Sequence, residues 1–533
     1  MDSKAAGAAA LGPRDNRMPP GIPFIVANEF AARFCFYGIN AILSLYMVQF
    51  LHYGDAKATS WQSLFKFGAY FFPLVGAIVS DVFWGKFRTI ISFSMAYVLG
   101  CSILALGPPS PTTLALGLGF MAFGTGGIKP CVSTNVGDQF TSKNQHLIER
   151  ALSYFYFSIN AGSSISIWYC PVLLDRYGPK AAFGMPAAMM AVATLVFWLG
   201  RKRFTVVPPA GKEWLREIVS PEGRKLMLRL LSLLIFIAGF WALWEQSNGQ
   251  TWTLQATSDL MDKTLWPGFQ ILPAQIQVVN GPMILLMIPL FSFVVYPVAS
   301  RFVTVTPLRK MCTGMFLSAL SFLVIAGIEN KIQHGISVSV WWQIFAYVVL
   351  SASEVLLSIT ALEFFYKQAP LRMKSFVMAL YLCAIAVGDL TTAVVNKAMV
   401  RELPGSEAVA GSETWVSLPP TLGLVTGQKI DFENTGLTVR QENGKTAPLA
   451  GTFLVAEIQG SRIRLMDNDH RRPVVTTGAW NGQSAVVSTY RLVGPEYFNF
   501  FAYMMAAMGV IFIGVALMYR ERTYVRVAEA PAV

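Results

Sequence analysis

GIPFIVANEFAARFCFYGINAILSLYMVQFL, residues 21 to 51, holds only two charged side chains, Glu29 and Arg33. A run of this length exceeds the about 20 apolar residues that a helix needs to cross a bilayer. A charge at the bilayer centre costs about 2.5–3.5 kcal/mol on insertion scales, so two in one span call for a use. At about 100° per residue, Glu29, Arg33, Tyr37, Asn40 and Ser44 fall on one narrow stripe. Glu29 stands four residues before Arg33, the spacing that lets the two side chains meet. As structure, the pair glues helix 1 to a neighbour; as function, the stripe faces a wet interior.

The rest of the chain repeats the pattern. Of 533 residues, 54% are hydrophobic and 14% charged, against about 25% charged in soluble domains. Apolar blocks predict twelve spans, at 21–51, 60–84, 87–107, 112–137, 149–174, 178–199, 226–258, 272–300, 306–328, 337–365, 371–402 and 495–519. The net charge of +12 sits mostly in the links between them, so nucleic acid is not an expected partner. Lys86, Arg88, Arg201, Lys202, Arg203, Arg309, Lys310, Arg372 and Lys374 mark one set of links; the other holds only Lys57, Arg176, Lys180, Lys263 and Lys331. Basic links stay inside, so both termini are expected in the cytoplasm. The N-terminal Ala/Gly run lacks an h-region of its own, and no cleavable signal is expected. The six cysteines lie in apolar segments without paired spacing and read as small core residues.

Two segments read as non-membrane. The basic link 201–225, with the amphipathic piece WLREIV, is expected on the inner surface and divides the spans six and six. Residues 403–494 are polar and Gly-rich, with strand-like runs TFLVAEI, RIRLMD and AVVSTYRLV, and read as a small β-rich outer domain. The expected divisions are 1–200, a six-helix bundle; 201–225, the linker; 226–402, spans 7–11; 403–494, outside; and 495–533, span 12 and an inner tail.

Polar side chains recur inside the spans. Helix 2 carries Ser63, Lys66 and Tyr70, helix 4 Lys129, helix 5 Tyr156 and Asn160, helix 7 Trp241 and Glu245, helix 10 Glu354 and Ser358, and helix 11 Tyr381, Asp389, Thr392 and Asn396. Glu363 lies about 180° from Glu354 on an ideal helix and is expected to be structural. Cations mainly in the first half and two of the carboxylates in the second suit a zwitterion whose charges are several ångströms apart. Phe36, Tyr37, Tyr70, Tyr156 and Trp241 read either as side-chain pockets or as ordinary helix packing. His52, His146, His334 and His470 all fall outside the middles of spans, so a carboxylate must carry any proton, with burial raising its pKa. One proton crossing ~100 mV releases ~2.3 kcal/mol, and one pH unit adds ~1.4 kcal/mol. No metal-ligand spacing, nucleophile triad or phosphate loop is found, and an enzyme is not expected. The GTGG of helix 4 reads as close helix packing.

GAIVSDVFWGKFR (76–88) resembles the loop between helices 2 and 3 of the major facilitator superfamily. FGTGGIKPCVSTNVGDQF (123–140) and FYFSINAGSSIS (155–166) closely resemble the two signature stretches of the proton-dependent oligopeptide transporter family. FWALWEQ with WTLQA, and EVLLSITALEFFYKQAPLRMKS, are similar to its helices 7 and 10. The likeness covers all twelve spans. It implies an all-α membrane protein with a twelve-span major facilitator fold, two six-helix bundles and the added β-rich domain. It implies that Arg33 and Lys129 hold a peptide's carboxylate and Glu354 its amine. Tyr37, Tyr70, Tyr156, Asn160 and Trp241 would line the pocket, and Glu29 and Glu245 would be proton-linked.

Departures from the family pattern are specific. Ala32 replaces the second glutamate of the helix 1 ExxER pattern, leaving Glu29 to partner Arg33 or Lys129 alone. Asn40 stands where an arginine is common, and Lys66 is the expected substitute partner of Glu245, a compensating or gating role. Ser63 occupies the position of a histidine, Tyr381 that of a tryptophan and Asp389 that of an asparagine, adding a carboxylate able to carry a proton. The expected function is proton-coupled symport of di- and tripeptides by a monomer in the plasma (inner) membrane, with lipid as its other partner and no cofactor beyond the coupling proton. The alternatives are another small solute on the same scaffold (nitrate, a modified amino acid, a peptide-like drug) and a peptide sensor or scaffold without transport.

Overall fold

The computed structural model describes residues 16–519, apart from 142, 207, 210–219, 369–373, 412, 419–423, 441–445, 469–471 and 483. WLREIV, His470, residues 370–373 of the helix 10–11 link and the basic tail from 520 lie outside the described residues. The helices are α1 (Ile22–Leu51), α2 (Asp55–Ile78), α3 (Lys86–Leu106), α4 (Pro111–Asp138), α5 (Ile148–Tyr177), α6 (Pro179–Leu199), α7 (Pro221–Ser247), α8 (Thr251–Gln255), α9 (Asn280–Leu290), α10 (Tyr296–Ala299), α11 (Pro307–Gln333), α12 (Val340–Glu354), α13 (Thr360–Gln368), α14 (Lys374–Met399) and α15 (Pro495–Met518). Among the described residues, eleven helical stretches are long and apolar enough to cross a membrane. The chain is a multi-pass membrane protein. The expected fifth span is the 30-residue α5. It is not among the eleven, because Ser153, Tyr154, Tyr156, Ser158, Asn160, Ser163, Ser164 and Ser166 dilute its apolar content.

Helix starts follow their capping chemistry. Ser110 and Thr306 each precede a proline and accept from the backbone N–H three residues on, at Thr113 and Arg309. That satisfies one of the orphan donors of the first turn.

Four expectations need correction. The span expected at 226–258 is broken after Ser247, where Gly249 takes φ 76° and α8 then begins. The span expected at 272–300 is a succession of a 3-10 turn (Pro273–Val279), α9, a π turn (Phe291–Val295) and α10, with Pro289 inside it removing a donor. A further π turn, Val355–Ile359, separates α12 from α13, as another, Val79–Trp84, follows α2. Such a turn inserts a residue, so the uniform 100° count from Glu354 to Glu363 does not hold. Finally, the end of the span expected at 371–402 is a strand, because Val400–Glu402 pairs with Val486–Tyr490.

The chain forms two compact units: Met1–Asn40, Phe65–Arg229 and Ser375–Ala386 make the first, and Ala41–Leu64, Leu230–Lys374 and Val387–Val533 the second. In the first, glycine brings helices to backbone contact. A Cβ on Gly76 of α2 would lie 2.5 Å from Cα of Gly127 on α4, and one on Gly127 would run into the Phe93 ring of α3. The GTGG segment is close packing, as its composition suggests. Gly85 (φ 75°) turns the chain between α2 and α3, and Lys86 pairs with Asp138 at the end of α4.

The second unit holds the strands. β1 (Met261–Asp262), β2 (Thr264–Trp266), β3 (Phe269–Gln270) and β4 (Val338–Ser339) make two small sheets that the sequence reading missed. The remainder are β5 (Val400–Glu402), β6 (Glu407–Val409), β7 (Trp415–Ser417), β8 (Lys429–Glu433), β9 (Leu437–Arg440), β10 (Thr446–Pro448), β11 (Gly451–Gln459), β12 (Arg462–Asp467), β13 (Thr476–Gly478) and β14 (Val486–Tyr490). They form a seven-stranded sheet, β5-β14-β8-β11-β12-β7-β6, and a three-stranded sheet, β10-β9-β13. Val416, Ile430, Phe432, Leu437, Val455, Ile463, Leu465 and Val487 build one apolar core between them. The runs expected as strands are β11 and β12 within a residue, and β14, which ends at Tyr490, three residues before the expected run does.

Candidate binding site

In the first unit, α1 brings its two charges together. Arg33 Nε donates to Glu29 Oε1 at 2.6 Å, with the carboxylate buried. The i, i+4 spacing on one helix dictates this contact. On α4, Lys129 precedes Pro130. Its Nζ lies 4.0 Å from the ring centre of Phe36 and 3.9 Å from that of Tyr70. Two ring faces stabilise the ammonium where water is scarce. These two aromatic residues therefore act on the cation itself, a use that helical spacing does not reveal. Ala32 lines the same small cleft as Glu29, Arg33, Phe36, Tyr97, Thr125, Ile128 and Lys129, so the position of the missing glutamate faces the cations.

Gly162 lets α5 approach α1, since a Cβ there would lie 2.6 Å from the Phe30 carbonyl and 3.4 Å from Cβ of Arg33. Tyr156 and Asn160 occupy the exposed side of α5, and Asn160 donates to the Tyr156 carbonyl at 2.9 Å. Tyr37 is half-buried beside Phe36, with ring centres 5.3 Å apart. Lys66 is fully buried, as is Tyr381.

In the second unit the central acid is Glu354, the last residue of α12. Its Oε2 accepts from the Trp244 indole N–H at 2.6 Å and from the Asn280 side-chain amide at 3.1 Å. The same amide of Asn280 also donates to Ser351 Oγ at 3.1 Å. Among the described residues Glu354 makes no ion pair. Trp241 packs edge-on to Trp244, with centres 5.1 Å apart. Glu245 and Asp389 are buried. Gly388 admits the close approach of α14 to α7, 2.9 Å from Cβ of Trp241 for an added Cβ, and Thr392 donates to the Ala242 carbonyl at 3.0 Å. Ser44 donates to the Gly249 carbonyl at 2.6 Å, and Gln250 donates to Ser63 at 3.1 Å. Glu363 pairs with Lys367 on the exposed face of α13.

Trp244, Asn280 and Gln250 escaped the sequence reading. Trp244 was legible only as one aromatic in FWALWEQ, and Asn280 is a lone amide at the head of an apolar helix. All six cysteines carry free thiols. Those of Cys35 and Cys101 lie 3.2 Å apart, a pairing their spacing does not suggest. Among the described residues no cluster of three or more His, Cys, Asp or Glu could hold a metal ion.

The first unit thus holds a part-buried ion pair inside a membrane-spanning helix, and the second a half-buried acid held by neutral donors, charges whose insertion cost calls for a use. The family model described as the POT family matches residues 87–220 and 210–416. The chain belongs to the proton-dependent oligopeptide (POT) transporter family. It is 39% identical over 365 residues to the human solute carrier family 15 member 2, covering 59% of this chain and 49% of that one. To peptide transporter family 1 of Drosophila melanogaster it is 36% identical over 361 residues, covering 59% and 48%. The chain thus spans about half the length of the curated relatives it matches. Among solved structures, the POT family transporter PepTSo is 33% identical, with a TM-score of 0.66 over 72% of this chain and 90% of that one. An auto-inhibited POT family peptide transporter is 26% identical, with a TM-score of 0.71 over 96% and 99%.

Proposed function

We propose that this protein is a proton-coupled symporter that imports di- and tripeptides by alternating access. The observation that carries the reading is Glu354, a half-buried carboxylate with one oxygen fixed by two neutral donors and no ion pair among the described residues. A carboxylate so placed suits the amine of a peptide and repels an anion such as nitrate. Arg33 and Lys129 supply the opposite charge for the peptide's carboxylate, with Tyr37, Tyr70, Tyr156, Asn160 and Trp241 around the chain. Relatives named as peptide transporters support the substrate class. Protonation is assigned to Glu29, Glu245 or Asp389, with Lys66 as the compensating cation. No cofactor beyond the proton is invoked.

The proposed arrangement is a twelve-span major facilitator fold: a bundle of 1–200, a linker of 201–225, and a second bundle from 226 that α15 completes. The β-rich domain then begins at Val400. The proposed location is the plasma membrane, with termini inside, the β-rich domain outside, and a monomer as the working unit. The combined driving force of membrane potential and pH gradient supports roughly several-hundred-fold accumulation of a neutral zwitterion.

The test is uptake into proteoliposomes under an imposed pH gradient. A free dipeptide should accumulate, and both its N-acetylated form and nitrate should not. Nitrate accumulation would instead assign the scaffold to anions. Peptide binding without accumulation would assign it to sensing, the reading that Ala32 keeps open.

A further inference from the structure

The β-rich domain has no role in the reading above, yet its contacts are specific. Its joints to the membrane helices are short. β5 follows α14 without an intervening residue, and Tyr490 and Pro495, at the other joint, are separated by residues 491–494. Arg491 N donates to the Met399 carbonyl at 2.8 Å, pinning the two joints together. The domain is therefore carried stiffly by the ends of α14 and α15, spans 11 and 12.

What it grips is the start of α2. The first N–H groups of a helix have no partner within it. Here Asp55 N donates to Thr452 Oγ1 at 2.9 Å, and Ala56 N to the Tyr490 hydroxyl at 3.4 Å. The sheet thus supplies the cap of span 2. Two ion pairs flank these bonds, Lys429–Asp55 and Lys57–Glu433, each at 2.7 Å. Gly54 sits directly on the sheet, and an added Cβ would run into the Asp431 carboxylate. Its backbone is open to any residue, so the glycine is required by contact alone. Thr452 and Tyr490 both also donate to Asp431, which ties the capping groups to each other. Beneath the grip, the Asn396 amide of α14 donates to Thr59 Oγ1 of α2 at 2.9 Å, and Tyr497 of α15 donates to Asn396 at 2.7 Å.

We infer that the β-rich domain is a latch on the outer gate, which must release the start of span 2 each time the transporter opens outward. This rests on the alternating-access reading, in which spans 1 and 2 belong to one bundle and spans 11 and 12 to the other. Because the domain cannot swing on its short joints, parting the outer ends of those spans breaks both ion pairs and both caps. The latch therefore sets how often the outward state is visited.

The test places a reporter under the latch. Thr59 is buried beside Asn396, so the reaction of Thr59→Cys with a membrane-impermeant maleimide from outside reads outward opening. Adding Lys57→Ala with Glu433→Ala, two partly exposed positions, should raise the labelling rate on the order of three- to tenfold. Gly54→Ala, which wedges the contact, should raise it as well. An unchanged rate in both backgrounds overturns the latch. Peptide uptake measured on the same vesicles separates the two ideas: if labelling responds while no variant accumulates peptide, the latch stands and the transport reading fails.

Discussion

Trp244 donates its indole N–H to Oε2 of Glu354 at 2.6 Å, across 110 residues of chain. Asn280 donates to the same oxygen, so both bonds fall on one side of the carboxylate. Two neutral donors fix the group without neutralising it, and its charge is available to an amine. Hydrogen bonds to charged groups contribute about 1.5–3 kcal/mol. Trp244→Phe keeps the aromatic packing and removes one donor. Peptide affinity should fall about tenfold, or about 1.4 kcal/mol. Glu354→Gln should erase the preference for a free over an N-acetylated dipeptide, measured by competition binding. Equal preference in the parent protein would show that Glu354 does not read the amine.

Ala32 shares a cleft with Glu29, Arg33 and Lys129. Ala32→Glu adds a carboxylate where two cations face one acid. It should compete with Glu29 for Arg33 and change proton-driven uptake more than counterflow, because counterflow needs no net proton movement. Glu29→Gln should lower proton-driven uptake in the parent and have a smaller effect in the Ala32→Glu background. Parallel changes in uptake and counterflow in both variants would place this cluster outside coupling.

Close packing of α2, α3 and α4 makes a stability prediction. A methyl on Gly127 would collide with the Phe93 ring, and Gly76 faces Gly127 backbone to backbone. Overpacking of this kind costs about 1–3 kcal/mol. Gly127→Ala should lower the thermal midpoint in detergent by several degrees, whereas Gly119→Ala, which meets nothing within 4 Å, should not. Equal effects would mean that helix propensity outweighs contact at both positions.

What was legible in the sequence divides from what was not along the same line between local and distant contact. The Glu29–Arg33 pair and the glycine-rich packing face of α4 were legible, because helical periodicity fixes which residues share a face. The break at Gly249 and the π turn after Glu354 were not, since each depends on how a neighbouring helix is met. Trp244 and Asn280 were missed for a related reason: they act by touching an acid on another helix, and no spacing within their own segments signals it. At Val400 the change from helix to strand is set by pairing with Val486–Tyr490 at the far end of the domain, which nothing local signals, so the boundary was placed three residues late.

Asp431 gives the latch a dependence on outside pH. Its carboxyl is pushed up to about 7, first by burial and then by the charge of Asp55; hydrogen bonds from Tyr490 and Thr452 and the charge of Lys429 act against the rise. The groups facing it are Tyr490, whose hydroxyl is held well above its usual range by burial and by Asp431 itself, Asp55 and Lys429, with the Lys57–Glu433 pair at the edge. Release exposes Asp431 to water, where its pKa returns toward about 4. The closed latch therefore binds more protons than the open one between about pH 4 and 7. Closure is favoured at the acid end of that window, weakens as pH rises through it, and is flat above. His52, on the same turn and pushed below its ordinary value by burial, titrates on the acid side. Maleimide labelling of Thr59→Cys, divided at each pH by the rate of the same thiol in unfolded protein to remove its own thiolate dependence, should rise from pH 5 to pH 7.5, and Asp431→Asn should remove most of that slope. A rising slope that survives Asp431→Asn would overturn the role of Asp431, because burial that lowers the pKa of His52 makes closure strengthen as pH rises, and a flat profile in the parent would mean that Asp431 stays covered while the gate opens.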